Sequence, residues 1–183
     1  FSGFERHIGT ARLGRRGYPS RAIRTDDYLY IRNFAPDRWP AGRPPTLDDI
    51  DSGSPTKTYL IAQRQEYEKH TLPDVKKEGD MSLGFLPQGN PSAVVNHPAQ
   101  PLTLMASKRP AEELYEVTRD PGQLNNVADN PDYAQIKEAL AEQLAAEMER
   151  TGDPWSTGDG SIFDTYKYYA IDKPDKPVAT IAT

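Results

Sequence analysis

Residues 108–155 constrain this chain more than any other stretch, because they read as a strand, a turn, a capped helix and a stop, in that order. Residues 113–117 alternate in character and lie between Pro110 and the turn residues Asp120, Pro121 and Gly122, which predicts a short strand followed by a turn. Asn130 stands at a helix N-cap, with Pro131 at the first helical position and Asp132 in the first turn. Tyr133, Ile136, Leu140, Leu144 and Met148 follow at helical spacing and make one apolar stripe. The helix is about 20 residues and roughly 30 Å long. Gly152 supplies the stop and Pro154 prevents continuation. Strand and helix each have an apolar face to bury, and each is the other's nearest cover. Leu140 and Leu144 are expected to face a sheet that contains Leu114 and Ile31 or Leu29.

Upstream, residues 21–25 and 28–34 are rich in β-branched and aromatic side chains and are separated by Asp26-Asp27, the pattern of an antiparallel hairpin. Residues 1–7 read as a further short strand. A small antiparallel sheet of three to four strands with the long helix on one face is an α+β layer. Residues 35–53 are proline-rich and irregular. Ser54-Pro55 repeats the cap signature and predicts a second helix over 55–70, with Tyr59, Leu60 and Tyr67 as its buried positions. Residues 73–107 carry prolines and no periodicity, and read as a loop-rich insertion. Residues 156–183 read as an extended tail whose aromatic cluster, 163–171, forms an edge strand or an arm on a neighbouring domain.

Composition bounds the function. The chain has no cysteine, which excludes disulfides, thiolate metal sites and a cysteine nucleophile. Net charge is -5 with both signs mixed along the chain, which argues against a nucleic-acid partner. No apolar run approaches the ~18 residues of a membrane span. The chain opens at Phe1 without a basic or apolar leader, so no signal peptide is expected in it. Leu, Ile, Val and Phe make up about 18% of the chain, just under the level at which a self-sufficient core becomes doubtful. The composition fits a loop-rich unit that leans on another surface.

The run Arg109-Pro110-Ala111-Glu112-Glu113-Leu114-Tyr115-Glu116-Val117, continuing through Asp120-Pro121 and Asn125-Asn126 to Asn130-Pro131-Asp132-Tyr133, resembles the C-terminal region of the type I, formylglycine-dependent sulfatases. Thr151-Gly152-Asp153-Pro154-Trp155 is similar to the ending of their heparan N-sulfatase-like (N-sulfoglucosamine sulfohydrolase-like) branch. Phe4-Glu5-Arg6-His7, residues 18–25, Asn33-Phe34 and Asp37-Arg38-Trp39-Pro40-Ala41-Gly42 add to the match in the same order. The resemblance covers residues 4–155 apart from 73–107. It implies a C-terminal subdomain, here 1–155, of an alkaline-phosphatase-like sulfatase that closes the substrate cleft over a sulfated carbohydrate. It also implies export to the periplasm or outside the cell. The partner implied is the N-terminal catalytic domain. There a formylglycine, made from Cys or Ser in a C/S-x-P/A-x-R motif, is the nucleophile beside a Ca²⁺ ion. No catalytic residue, metal ligand or cofactor is expected in this chain.

Three strings imitate the missing parts. Ser20-Arg21-Ala22-Ile23-Arg24 fits S-x-A-x-R, but Asp26, Asp27 and a β-rich run follow where the family has a helix. Asp48-Asp49 could pass for a metal-binding pair, but it sits in a proline-rich loop and reads as a solvated turn. Asp129-Asn130 is followed by Pro131, which makes it a cap. His70 and His97 are isolated and lack metal-ligand spacing.

The candidate substrate contacts are Glu5, Arg6, His7, Arg38 and Trp39, with residues 54–57 as a lesser possibility. Glu5, Arg6 and His7 form a dense polar cluster at a strand end, to be weighed against plain surface charge. Arg38 and Trp39 suit a sulfated sugar, whose ring stacks on indole while guanidinium pairs with sulfate oxygens. The competing reading is a tryptophan that plugs a domain interface. The alternative for the whole chain is a non-catalytic carbohydrate-binding or interaction module.

Overall fold

The computed structural model describes residues 1–43, 46–51, 53–71 and 104–167, with the side chains of 64–71 excepted. Most of the expected 73–107 insertion, His97, the side chains of Tyr67 and His70, and the tail beyond 167 lie outside the described residues.

Four strands, β1 (Ser2–Phe4), β2 (Ser20–Arg24), β3 (Tyr28–Asn33) and β4 (Glu112–Glu116), form one antiparallel sheet in the order β1-β2-β3-β4. The β2–β3 hairpin closes at Asp26-Asp27, where the Thr25 N–H donates to the Tyr28 carbonyl at 2.9 Å and the Tyr28 N–H to Thr25 Oγ1 at 3.0 Å. Segment 126–127 covers the outer edge of β4. The Leu114 N–H donates to Asn126 Oδ1 at 2.8 Å and the Val127 N–H to the Leu114 carbonyl at 2.9 Å.

Helix α1 spans Pro55–Thr71, and the Ser54 hydroxyl accepts the Lys57 N–H at its start. Asn130 caps as expected, its Oδ1 accepting the Asp132 N–H at 3.0 Å, but it caps a 3-10 turn, Pro131–Tyr133. That turn feeds helix α2, Ala134–Thr151. Gly152 ends α2 in the left-handed region at φ 67°, with its N–H on the Met148 and Glu149 carbonyls. Asp153 and Pro154 restart a helical turn, α3 (Pro154–Thr157), and α4 (Ile162–Thr165) follows. The described part of the 156–183 segment, up to residue 167, thus folds back in helical turns and forms no edge strand.

The stripe of α2 packs on the sheet. Leu140, Leu144 and Met148 are buried with Tyr30, Leu114, Val127 and Ala128, and Tyr133 and Ile136 pack at the margin. Leu114 is the expected partner, but Ile31 and Leu29 are not in this cluster. Register explains the difference: Tyr30 pairs with Ile23 and Leu114, so those three share the face under α2. Ile31 and Leu29, one position away, point to the other face. That second face buries a polar group. The Glu113 carboxylate accepts Asn33 Nδ2 at 2.8 Å and the Tyr115 hydroxyl at 2.6 Å.

A smaller apolar cluster, Ala41, Leu47 and Ala106, lies between the 39–50 loop and α1, with Trp39, Ile50, Leu60 and Ile61 against it. Leu60 is therefore correctly expected. Tyr59 is not: it is 61% exposed. Lys57 is buried in its place, and its ammonium donates to the carbonyls of Thr46, Leu47 and Ile50. Those carbonyls belong to a loop with no strand or helix to satisfy them, so a cation with three donors serves where an apolar residue could not.

Candidate functional site

Two segments, 5–18 and 37–49, fold against each other beside β2, and Arg12 joins them. Its Nε donates to the Trp39 carbonyl at 2.7 Å, and its Nη2 to the Pro40 carbonyl and to Asp49 Oδ2, both at 2.5 Å. Asp49 also accepts the Ile8 N–H at 3.0 Å. Gly42 lets the loop turn inward at φ 87°, where any Cβ would stand 2.9 Å from the Asp48 and Asp49 amides. Asp49 is therefore a buried ion-pair partner, and the solvated-turn reading of Asp48-Asp49 fails for it. Asp48 does remain exposed.

Glu5 lies in a compact polar cluster at the sheet edge. Its Oε1 accepts Arg21 Nη2 at 2.6 Å and the Trp155 indole N–H at 2.7 Å. Arg21 is 5% exposed along its side chain and forks onto Asp153 through Nε and Nη2. Its Nη1 donates to the Phe4 and Ser20 carbonyls. Burial pushes the Glu5 carboxyl above its ordinary range and outweighs the opposing pull of Arg21 and the indole. Arg6 turns elsewhere, donating to the carbonyls of Arg15 and Tyr166. His7 keeps 60% of its side chain exposed, with Nδ1 3.1 Å from the Asp49 carbonyl.

Arg38 donates to the Gly17 carbonyl at 2.9 Å and pairs with Asp164 of α4, Nη2 to Oδ2 at 2.9 Å. No side-chain bond joins Arg38 to Glu5 among the described residues, but both lie against one segment: the Gly17 carbonyl accepts Arg38, and the Tyr18 N–H donates to the Glu5 carbonyl at 2.6 Å. Each arginine or carboxylate in these two pairs has a partner inside the chain. Trp39 is partly buried, rests on the Leu47 cluster, and has the Lys108 ammonium 5.2 Å above its ring.

Beside Trp39 opens a groove of about 210 Å³, lined by Arg12, Leu13, Arg16, Asp37, Arg38, Trp39 and Arg43. Four arginines against Asp37, Asp49 and Asp164 leave its surroundings net positive. Such a site can hold an anion or stack a sugar ring. Among the described residues no group of three or more His, Asp or Glu is placed to hold a metal ion. Ser20 sits within strand β2, in no position resembling a helix N-terminus.

Sequence reasoning missed Arg12, Arg16, Arg21, Arg43, Asp49, Asp153, Trp155 and Asp164 as parts of this region. Arg21 carried one signal: a charged residue on the strand face that also presents Ile23 needs a buried partner. Nothing local identified that partner as Asp153, 132 positions away.

No family model matches the chain. Curated relatives include the ulvan-active sulfatase of Formosa agariphila, 26% identical over 136 residues, which are 74% of this chain and 18% of that protein. Another is the N-sulphoglucosamine sulphohydrolase of Homo sapiens, 46% identical over 52 residues, which are 28% of this chain and 10% of that protein. The chain therefore spans less than a fifth of the length of either curated relative.

Proposed function

We propose that this chain, which carries a sulfatase-like region, is the C-terminal part of a sulfatase acting on a sulfated carbohydrate, where it closes one side of the substrate cleft. One relative is named for ulvan and the other for a sulphoglucosamine, which favours a saccharide substrate. The observation that carries the reading is Trp39, an aromatic surface set into an arginine-lined groove. Indole stacks on the apolar face of a pyranose, and guanidinium matches the oxygens of sulfate. His7, with its ring largely exposed, is the best placed of the other expected contacts. Glu5, Arg6 and Arg38 act by holding the segments that carry His7 and Trp39.

The formylglycine and Ca²⁺ that the resemblance implies would belong to the N-terminal catalytic domain, this chain's partner. The described residues do not fit a Ca²⁺ cage. In this reading the chain alone hydrolyses no sulfate ester, and the whole enzyme is exported.

The test is sulfate release by the full-length protein that contains this chain. Wild type should act on a small aryl sulfate and on sulfated oligosaccharides. Trp39→Ala should lower kcat/KM for the oligosaccharide roughly 10-fold or more and spare the aryl sulfate. A wild-type protein that frees sulfate from neither substrate overturns the reading.

A further inference from the structure

We propose that the groove beside Trp39 is a subsite for an oxyanion, a sulfate ester or carboxylate, carried by a sugar adjacent to the one that loses its sulfate, and that Arg16 and Arg43 grip it. The proposal rests on the sulfatase reading above and adds a ligand group and two residues to it.

Three observations converge. First, the four arginines of the groove are not equivalent. Arg12 is committed to Asp49 and two carbonyls, and Arg38 to Asp164 and Gly17. Arg16 and Arg43 are exposed, and neither makes a side-chain hydrogen bond or ion pair among the described residues. The groove's spare cationic capacity therefore sits on those two, one from each wall.

Second, the wall behind them holds an unsatisfied donor. Arg12 is 6% exposed, and its buried Nη1 has no hydrogen-bond partner among the described residues. That unused N–H, itself shielded from the groove, leaves a local positive partial charge behind its wall, which favours an anion over a neutral group there.

Third, the walls are held in unusual backbone conformations. Arg15 has φ 57° in the turn before Arg16, and fully buried Leu47 has φ 48° in the loop that carries Arg43. A non-glycine residue in the left-handed region costs of order 1 kcal/mol and persists only where its surroundings over-determine it. Here the bond from the Arg43 N–H to the Ala11 carbonyl, at 3.2 Å, and the Arg12 contacts do so. The walls keep their spacing without a ligand, so binding costs little reorganisation.

A monovalent oxyanion between two planar forks accepts parallel N–H bonds from each, while the sugar that bears it lies beside Trp39. Asp37 at the rim repels a second anion, which favours one charged group over a densely charged chain.

The experiment uses the full-length protein and three substrates: an aryl sulfate, an oligosaccharide with only the scissile sulfate, and the same oligosaccharide with a sulfate or carboxylate on the neighbouring sugar. Wild type should prefer the last. The Arg16→Gln/Arg43→Gln double variant should lose roughly 10- to 100-fold in kcat/KM on it and nothing on the other two. Both side chains are exposed and make no bond among the described residues, so the variant is expected to keep its fold, and unchanged aryl sulfatase activity reports that directly. Equal wild-type rates on the two oligosaccharides overturn the subsite, as does a double variant that keeps the preference or loses both oligosaccharides alike. A wild type inactive on all three substrates instead defeats the sulfatase reading, and the subsite with it.

Discussion

The carboxylate of Glu5 accepts the indole N–H of Trp155 at 2.7 Å across 150 positions of sequence. The same oxygen accepts Arg21, and Arg21 binds Asp153, so one cluster ties the first strand to the residues that end helix α2. Trp155 also stacks on Phe34 with ring centroids 4.8 Å apart. Gly160 must be glycine for the chain to pass that ring, since a Cβ there would lie 1.9 Å from the indole. The Thr151-Gly152-Asp153-Pro154-Trp155 string is therefore at once a helix stop, a helix start and a clamp on the sheet edge.

Removing Asp153 should be costly. The Arg21 and Asp153 side chains are 5% and 8% exposed, and Asp153 also caps α3 through the Trp155 N–H at 3.0 Å. Asp153→Ala strands a buried guanidinium and is expected to cost about 3–5 kcal/mol. Asp153→Asn keeps an oxygen for the cap and should cost less. Denaturant unfolding of the full-length protein measures both, and a loss below about 1 kcal/mol for the alanine variant would show that the cluster is dispensable.

The Glu5 carboxyl should leave a signature in pH. Its ordinary value is 4.5 and the fold raises it, burial outweighing Arg21. The folded state then binds the proton more tightly than the unfolded state does. Its contribution to stability is greatest below the unfolded value and is lost as pH rises through the folded one. The thermal midpoint of wild type relative to Glu5→Gln is expected to fall as pH rises from about 4 to about 7 and then level off. A gap that widens with pH would mean that the Arg21 charge, not burial, governs the group.

The stripe of α2 makes a simpler case. Leu144 is 1% exposed and packs with Tyr30 and Leu114, so Leu144→Ala should cost about 3–5 kcal/mol through transfer and cavity effects together. Tyr59 on α1 is 61% exposed, and Tyr59→Ala should stay within about 0.5 kcal/mol. Chemical denaturation of the two variants side by side tests the assignment of faces, and equal losses would refute it.

Local physics was legible in the chain as written. The Asn130-Pro131 start, the Gly152 stop, the 3.6-residue stripe of α2 and the alternation in β2, β3 and β4 depend on groups within a few residues of one another. The same holds for the Ser54-Pro55 start of α1. Arginine and tryptophan in the 37–42 loop were also visible as chemistry suited to a sulfated sugar. Tertiary structure alone decided the rest. Whether Tyr30 or Ile31 lies under α2 turns on a one-residue register that the hydrophobicity of both leaves open. Which charges are spare depends on partners far away in sequence: Asp153 for Arg21, Asp164 for Arg38, Asp49 for Arg12. A charged side chain looks the same in sequence whether its counter-ion is a ligand or a carboxylate more than a hundred positions off. Only the folded arrangement separates Arg38, neutralised by Asp164, from Arg16 and Arg43, which have no counter-ion among the described residues.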